Sequence, residues 1–174
     1  VSASFNKFFN RKSPNAANIK YVSAKANIQE DGTLIVIYCY KGQWFIQTKN
    51  RANADELMRN SNISIKDGVI AVLRNLFSSP FEPFQKYPGK NMCYAFDFVS
   101  PYNKNVSHYT DTNIILLSVF NKAAFGESNG IVEMSDMWID HWERDYGRKA
   151  FKRSQLYHVN NAESVTEIAR YLGP

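Results

Sequence analysis

A few short stretches of this chain hold residues able to do chemistry on phosphates. Gln29-Glu30-Asp31-Gly32-Thr33 sets two carboxylates beside a glycine, just ahead of a strongly apolar run. Read alone it is a polar turn, in which Gly32 suits a close approach that leaves little room for a side chain. Lys49 follows the next apolar run and offers its ammonium to a phosphate or an RNA backbone, or to solvent at the end of a strand. Lys7, near the start, presents the same pair of readings. Asp97 stands between Phe96 and Phe98 in Met92–Val99, a run otherwise built for burial. Alternation alone lets it face solvent on an edge strand. Carboxylates can hold a divalent cation, and ammonium groups pair with anions.

The tail offers two further clusters. Asp136, Asp140, His141 and Glu143 combine a histidine with carboxylates at short spacing, but they flank the helical stripe Met134, Trp138, Trp142. The polar edge of an amphipathic helix accounts for them better than a metal site does. Arg144, Arg148, Lys149, Lys152 and Arg153, with Tyr146 and Phe151 between them, either touch an RNA backbone or form a solvated basic face.

These residues need elements to position them. Leu34–Tyr40 is rich in β-branched and aromatic residues and predicts a buried strand; a turn through Lys41-Gly42 returns the chain as the strand Trp44–Thr48. Two helices are expected next. One is a short helix over Ala52–Asn60, and the other is capped by Asp67 and packs Val69, Val72, Leu73, Leu76 and Phe77 on the sheet. Pro80 and Pro83 end it, and 78–90 reads as loop. Met92–Val99 and Ile114–Phe120 are strands. Ala162–Leu172 is a closing helix, with Gly173 as its cap. The fold class is α+β, an antiparallel or mixed sheet with helices against it.

At 174 residues the chain is the size of one ordinary domain, and it needs no metal or disulfide to hold it together. Its apolar fraction of 44% and charged fraction of 21% argue against disorder. The net charge of +5 permits an anionic partner. Cys39 and Cys93 sit inside apolar runs and read as buried free thiols, so no disulfide-linked partner is expected. The apolar runs are too short for a membrane span, and no leader pattern opens the chain. An intracellular protein, cytoplasmic or viral and acting in a host cell, is the expectation.

The segment Gln29-Glu30-Asp31-Gly32-Thr33 resembles the Lys-x-Asp-Gly nucleotidyltransferase motif of ATP-dependent RNA ligases. It looks most like the phage-type RNA ligase 1 branch, where the motif runs Lys-Glu-Asp-Gly-Ser. Other pieces follow in order. Lys7-Phe-Phe-Asn10 looks like that family's Lys-Phe-Phe-Asn element, and Gln47-Thr-Lys49 is in a register similar to its Ser-Lys-Gly motif. Tyr94-Ala-Phe-Asp-Phe-Val-Ser-Pro-Tyr-Asn103 resembles Phe-Glu-Phe-Val-x-Pro-x-Asn, and Ile114–Val119 resembles the next hydrophobic strand.

The resemblance implies a nucleotidyltransferase (adenylation) core like that of RNA and DNA ligases, with its front and middle over 1–120 and a diverged helical tail over 121–174. It implies ATP and Mg²⁺ as cofactors, ATP or AMP and RNA ends as partners, and RNA repair as the setting. In such ligases a lysine amine attacks the α-phosphorus, pyrophosphate leaves, and AMP passes to an RNA 5′-phosphate before a 3′-hydroxyl displaces it. Gln29 occupies the lysine's position, and an amide nitrogen, its lone pair conjugated, is no nucleophile. Lys25 lacks the motif's glycine turn. An engineered block and a natural non-ligating relative both fit.

By resemblance, Gln29, Lys49 and Asp97 fall at catalytic positions. Lys7, Glu30, Asp31, Gly32, Lys49 and Asp97 fall at nucleotide-binding positions, with Asp97 also a metal ligand. Asp97 replaces the family's glutamate and is one methylene shorter, so a bridging water is expected. Neither a Glu-Gly nor a Lys-x-Lys motif follows residue 120. Gly126-Glu127 runs in the wrong order and Lys149-Ala-Phe-Lys152 is a poor match. A fragment of a larger ligase, or a nucleotide- or RNA-binding domain derived from one, would explain that.

Overall fold

A computed structural model describes residues 2, 4–5, 9–10, 12–86, 89–103, 107–122, 132–144 and 151–172. In chain order the strands are β1 (Lys25–Asn27), β2 (Thr33–Tyr40), β3 (Gln43–Thr48), β4 (Met92–Val99), β5 (Asn113–Asn121), β6 (Val132–Glu133), β7 (Lys152–Arg153) and β8 (Leu156–His158). The helices are α1 (Ile65–Leu76), α2 (Glu82–Gln85), α3 (Asp136–Arg144) and α4 (Ala162–Leu172). The chain divides into two compact units, one of residues 1–4 and 30–153, the other of 5–29 and 154–174.

The larger unit is built on a sheet of order β3-β2-β4-β5-β6, antiparallel throughout, with β7 added parallel to β5. β4 lies at its middle and is buried at every position. Paired residues of adjacent strands share a face, so the register sorts the side chains. Ile35, Ile37, Ile46, Tyr94, Phe96, Phe98, Ile114, Leu116 and Val119 fall on one face. There they meet Val69, Val72 and Leu73 of α1, Phe84 of α2, and Ile139 and Trp142 of α3 in one core. Leu34, Val36, Tyr38, Cys93, Ala95 and Phe120 form a smaller cluster on the other face. The mixed α+β architecture matches the expectation. Cys39 and Cys93 are buried free thiols, and among the described residues no helix is long and apolar enough to cross a membrane.

Three local expectations are corrected. Residues 52–60 form turns, not a helix. Ala54, at φ 50, leaves the helical region, and the carbonyls of Ala54 and Glu56 accept from the N–H groups of Lys66 and Ile65. The segment thus supplies acceptors to the otherwise orphaned first turn of α1. The cap of α1 is Ser64, not Asp67: its Oγ accepts from the Asp67 N–H at 3.0 Å and donates to Asp67 Oδ2 at 2.7 Å. The stretch 78–90 is not all loop. It contains α2, whose Pro83 sits where a missing N–H costs nothing and whose Phe84, fully buried, packs against Tyr94, Trp142 and Phe151.

The smaller unit pairs β1 with β8 antiparallel, extended by Ile28 N–H to the Gln155 carbonyl at 3.3 Å. Its helix α4 occupies the expected span. Asn161 caps it, Oδ1 accepting from the Ser164 N–H at 2.8 Å. Gly173, the expected C-terminal cap, lies outside the described residues.

Ser64→Ala removes the acceptor that closes the first turn of α1. The expected loss is about 1 kcal/mol of folding stability, read from the urea midpoint.

Candidate functional site

The turn 30–32 packs against the C-terminal half of β4, and Gly32 explains why. A Cβ at Gly32 would lie 2.9 Å from the Phe98 carbonyl oxygen and 3.1 Å from Asp97 Cβ. The glycine therefore permits contact with β4 itself, a nearer neighbour than any ligand.

The loop after β4 ties this turn down. The Tyr109 hydroxyl accepts from the Asp31 N–H at 3.0 Å and donates to Glu30 Oε2 at 3.2 Å. Asp31 Oδ2 accepts from the Ser107 N–H at 2.7 Å, and Asn103 Nδ2 donates to Thr33 Oγ1 at 2.5 Å. Burial first of all raises the Tyr109 phenol above its usual pKa, which keeps it a donor to Glu30. Tyr109 and Ser107 carry no sequence signal for this role, since their partners lie more than 70 residues away.

Asp97 pairs with Leu34 and Ile115, on the face turned away from the helices, while Phe96 and Phe98 enter the helix-covered core. Beside it the β4–β5 register slips between Ala95 and Phe96, leaving Leu117 as the extra residue of a bulge. Such a bulge re-aims neighbouring side chains. Asp97 is only 9% exposed. Burial, and then the charge of Glu30, push its carboxyl from 3.8 up to about 6. Val36 and Ala95 form the apolar floor beside it, with Gln47 and Ser118 paired at either side. Gln47 Oε1 accepts from Ser2 Oγ at 2.7 Å, and Ser118 Oγ donates to Glu133 Oε1 at 2.5 Å.

The fold thus brings together Glu30, Asp31, Gly32 and Asp97. Lys49 lies one residue beyond the end of β3, exposed in a bend. Gln29 is exposed and closes the 5–29 segment of the smaller unit. Lys7 lies outside the described residues, as do Tyr146, Arg148, Lys149, Gly126 and Glu127.

The tail clusters resolve differently. Asp140 and Glu143, on α3, hold Arg153 at 2.8 and 2.7 Å, and among the described residues no group of three or more His, Cys, Asp or Glu could hold a metal. Phe151 is buried in the core rather than set beside RNA.

The fold, an antiparallel sheet with helices against one face and Asp97 on the other, is similar to that of solved RNA ligase structures. Three solved structures of Naegleria gruberi RNA ligase are similar. Two are point mutants with ATP and Mn, at 10% identity and TM-scores of 0.57 and 0.58 over 82% of this chain. The third, with PPi, is 9% identical with a TM-score of 0.58 over 82% of this chain. The chain spans only 39% to 40% of their lengths. No family model matches the sequence, and no curated protein does.

Two outcomes follow. Gly32→Ala forces the turn off β4 and is expected to cost about 1–3 kcal/mol in a urea titration. Because Asp97 holds its proton more tightly folded than unfolded, its contribution to stability is full below pH 3.8 and is lost as pH rises through about 6. Asp97→Asn should flatten that part of the stability–pH profile, measured as urea midpoints across the same range.

Proposed function

We propose that this chain is an RNA ligase-like adenylyltransferase domain that binds ATP but forms no lysyl–AMP adduct. The observation that carries the reading is the buried Asp97 carboxylate beside Glu30, on the face of the sheet turned away from the helices. Residues 1–120 supply the front and middle of the core in this reading, and 121–174 a diverged tail.

A divalent cation fits these residues. Burial and then the charge of Glu30 raise the pKa of Asp97, and hard oxygen donors suit Mg²⁺, which takes one or two carboxylates and fills its other positions with water and phosphate oxygens. Asp97 and Glu30 would hold it, and it would neutralise charge on the triphosphate. Val36 and Ala95 give the nucleotide an apolar floor, and Lys49 offers an ammonium to its phosphates. Gln29, standing at the nucleophile's position, can donate or accept a hydrogen bond but cannot attack phosphorus.

The second reading is a non-enzymatic nucleotide- or RNA-binding domain derived from a ligase, and Gln29 itself favours it. Incubation with α-labelled ATP and Mg²⁺, then a denaturing gel, separates the two. The unaltered chain is expected to take no covalent label while binding ATP in equilibrium dialysis. Label on Gln29→Lys supports a blocked ligase; ATP binding without label on that variant supports the binding domain. Label on the unaltered chain would refute the inactive assignment, and absence of ATP binding would refute both nucleotide readings.

A further inference from the structure

At the end of the sheet away from Asp97, basic and aromatic residues gather without an acidic neighbour in sequence. β2 and β3 turn through Lys41 at φ 48 and Gly42 at φ 80. Both central residues of such a hairpin turn lie in the left-handed region, where glycine and asparagine are at home. A lysine there is held at a cost, and residues kept in strained backbone cluster at functional positions. Its ammonium stands 5.4 Å from the centroid of the Tyr40 ring, and Tyr40 is 47% exposed.

Two more lysines converge on this corner. Tyr38 pairs with Cys93, so the end of β2 lies beside the start of β4, where the turn Gly89–Asn91 packs on β2 and carries the exposed Lys90. Lys122, just past β5, donates its backbone N–H to the Asn91 carbonyl and its Nζ to the Cys39 carbonyl at 2.6 Å. That bond takes one of its three ammonium donors. Along the same face Tyr38 and Phe45 stack with centroids 5.6 Å apart. The segments 38–45, 89–93 and 120–122 contain Lys41, Lys90 and Lys122 and no Asp or Glu; the acid in the adjoining strand, Glu133, pairs with Phe120 and accepts from Ser118 Oγ.

We infer that this corner is a docking platform for single-stranded nucleic acid, with Tyr40 the stacking surface for a base and Lys41, Lys90 and Lys122 the contacts for its phosphates. An exposed aromatic ring with an ammonium group at its face, beside a basic surface, binds single strands irrespective of sequence, because every base has a π-face. A duplex keeps its bases stacked on one another and offers only phosphates here. The platform lies apart from β7, which pairs with Ile115 and Leu116 and whose Arg153 is already engaged by Asp140 and Glu143.

The test is fluorescence anisotropy of end-labelled oligo(U) and oligo(dT), without ATP, at low salt and then with salt raised stepwise. Omitting ATP makes failure here a separate result from failure of the nucleotide reading. Tyr40→Ala is expected to weaken binding about fivefold or more, while Tyr40→Phe keeps it. Lys41→Gln should flatten the dependence of log affinity on log salt by about 0.7. Lys66→Gln, on the exposed side of α1, serves as the control and should leave stacking-dependent binding intact. An unchanged urea midpoint in Tyr40→Ala shows that the loss is local. No saturable binding of either oligonucleotide at low salt would overturn the inference. So would a Tyr40→Ala loss no larger than that of Lys66→Gln, or a loss confined to Arg144 and Lys152 substitutions.

Discussion

The burial of β4 on both faces is the constraint on which the larger unit depends. β4 has a strand on either edge, and none of its eight residues is exposed. Alternation then assigns Tyr94, Phe96 and Phe98 to the aromatic core, and Cys93, Ala95 and Asp97 to the other face. An acid in such a strand carries a desolvation penalty that a surface acid escapes. The strand tolerates it because Asp97 stands near the strand's end, next to a bulge, and because its raised pKa lets it take a proton.

Around that acid the structure invests in rigidity. Gly32 allows the 30–33 turn to touch β4 backbone, and the loop after β4 returns to grip the turn through Asn103, Ser107 and Tyr109. Backbone N–H groups and neutral side chains supply those bonds. Glu30 in turn adds its charge to the burial that raises the pKa of Asp97.

Charge elsewhere is disposed with the same asymmetry. On the helix side, the nearly fully buried Glu143 is compensated by Arg153, and its Oε1 accepts from the Phe151 N–H at 3.3 Å. A buried carboxylate without such partners would be strongly destabilising. This pairing fastens β7 to α3 and engages Arg153 with protein carboxylates. Among the exposed lysines, Lys41 and Lys90 lie at the end of the sheet away from Asp97.

What the sequence by itself determined was local. The strands 34–40, 44–48, 92–99 and 114–120 and the helices beginning near 65 and 162 were legible because apolar periodicity reports burial, and burial of a continuous face is a property of consecutive residues. The alternation around Asp97 likewise told which way it would point relative to Phe96 and Phe98. The helix expected at 52–60 failed because its carbonyls are recruited by the start of α1, a tertiary demand that outweighs propensity. Only the tertiary structure could decide that Gly32 serves β4, that Tyr109 holds Glu30 and Asp31, and that Arg153 faces α3 rather than RNA. Those are contacts between residues far apart in the chain, selected by sheet register and by the need to satisfy buried polar groups, and no short window of sequence contains both partners.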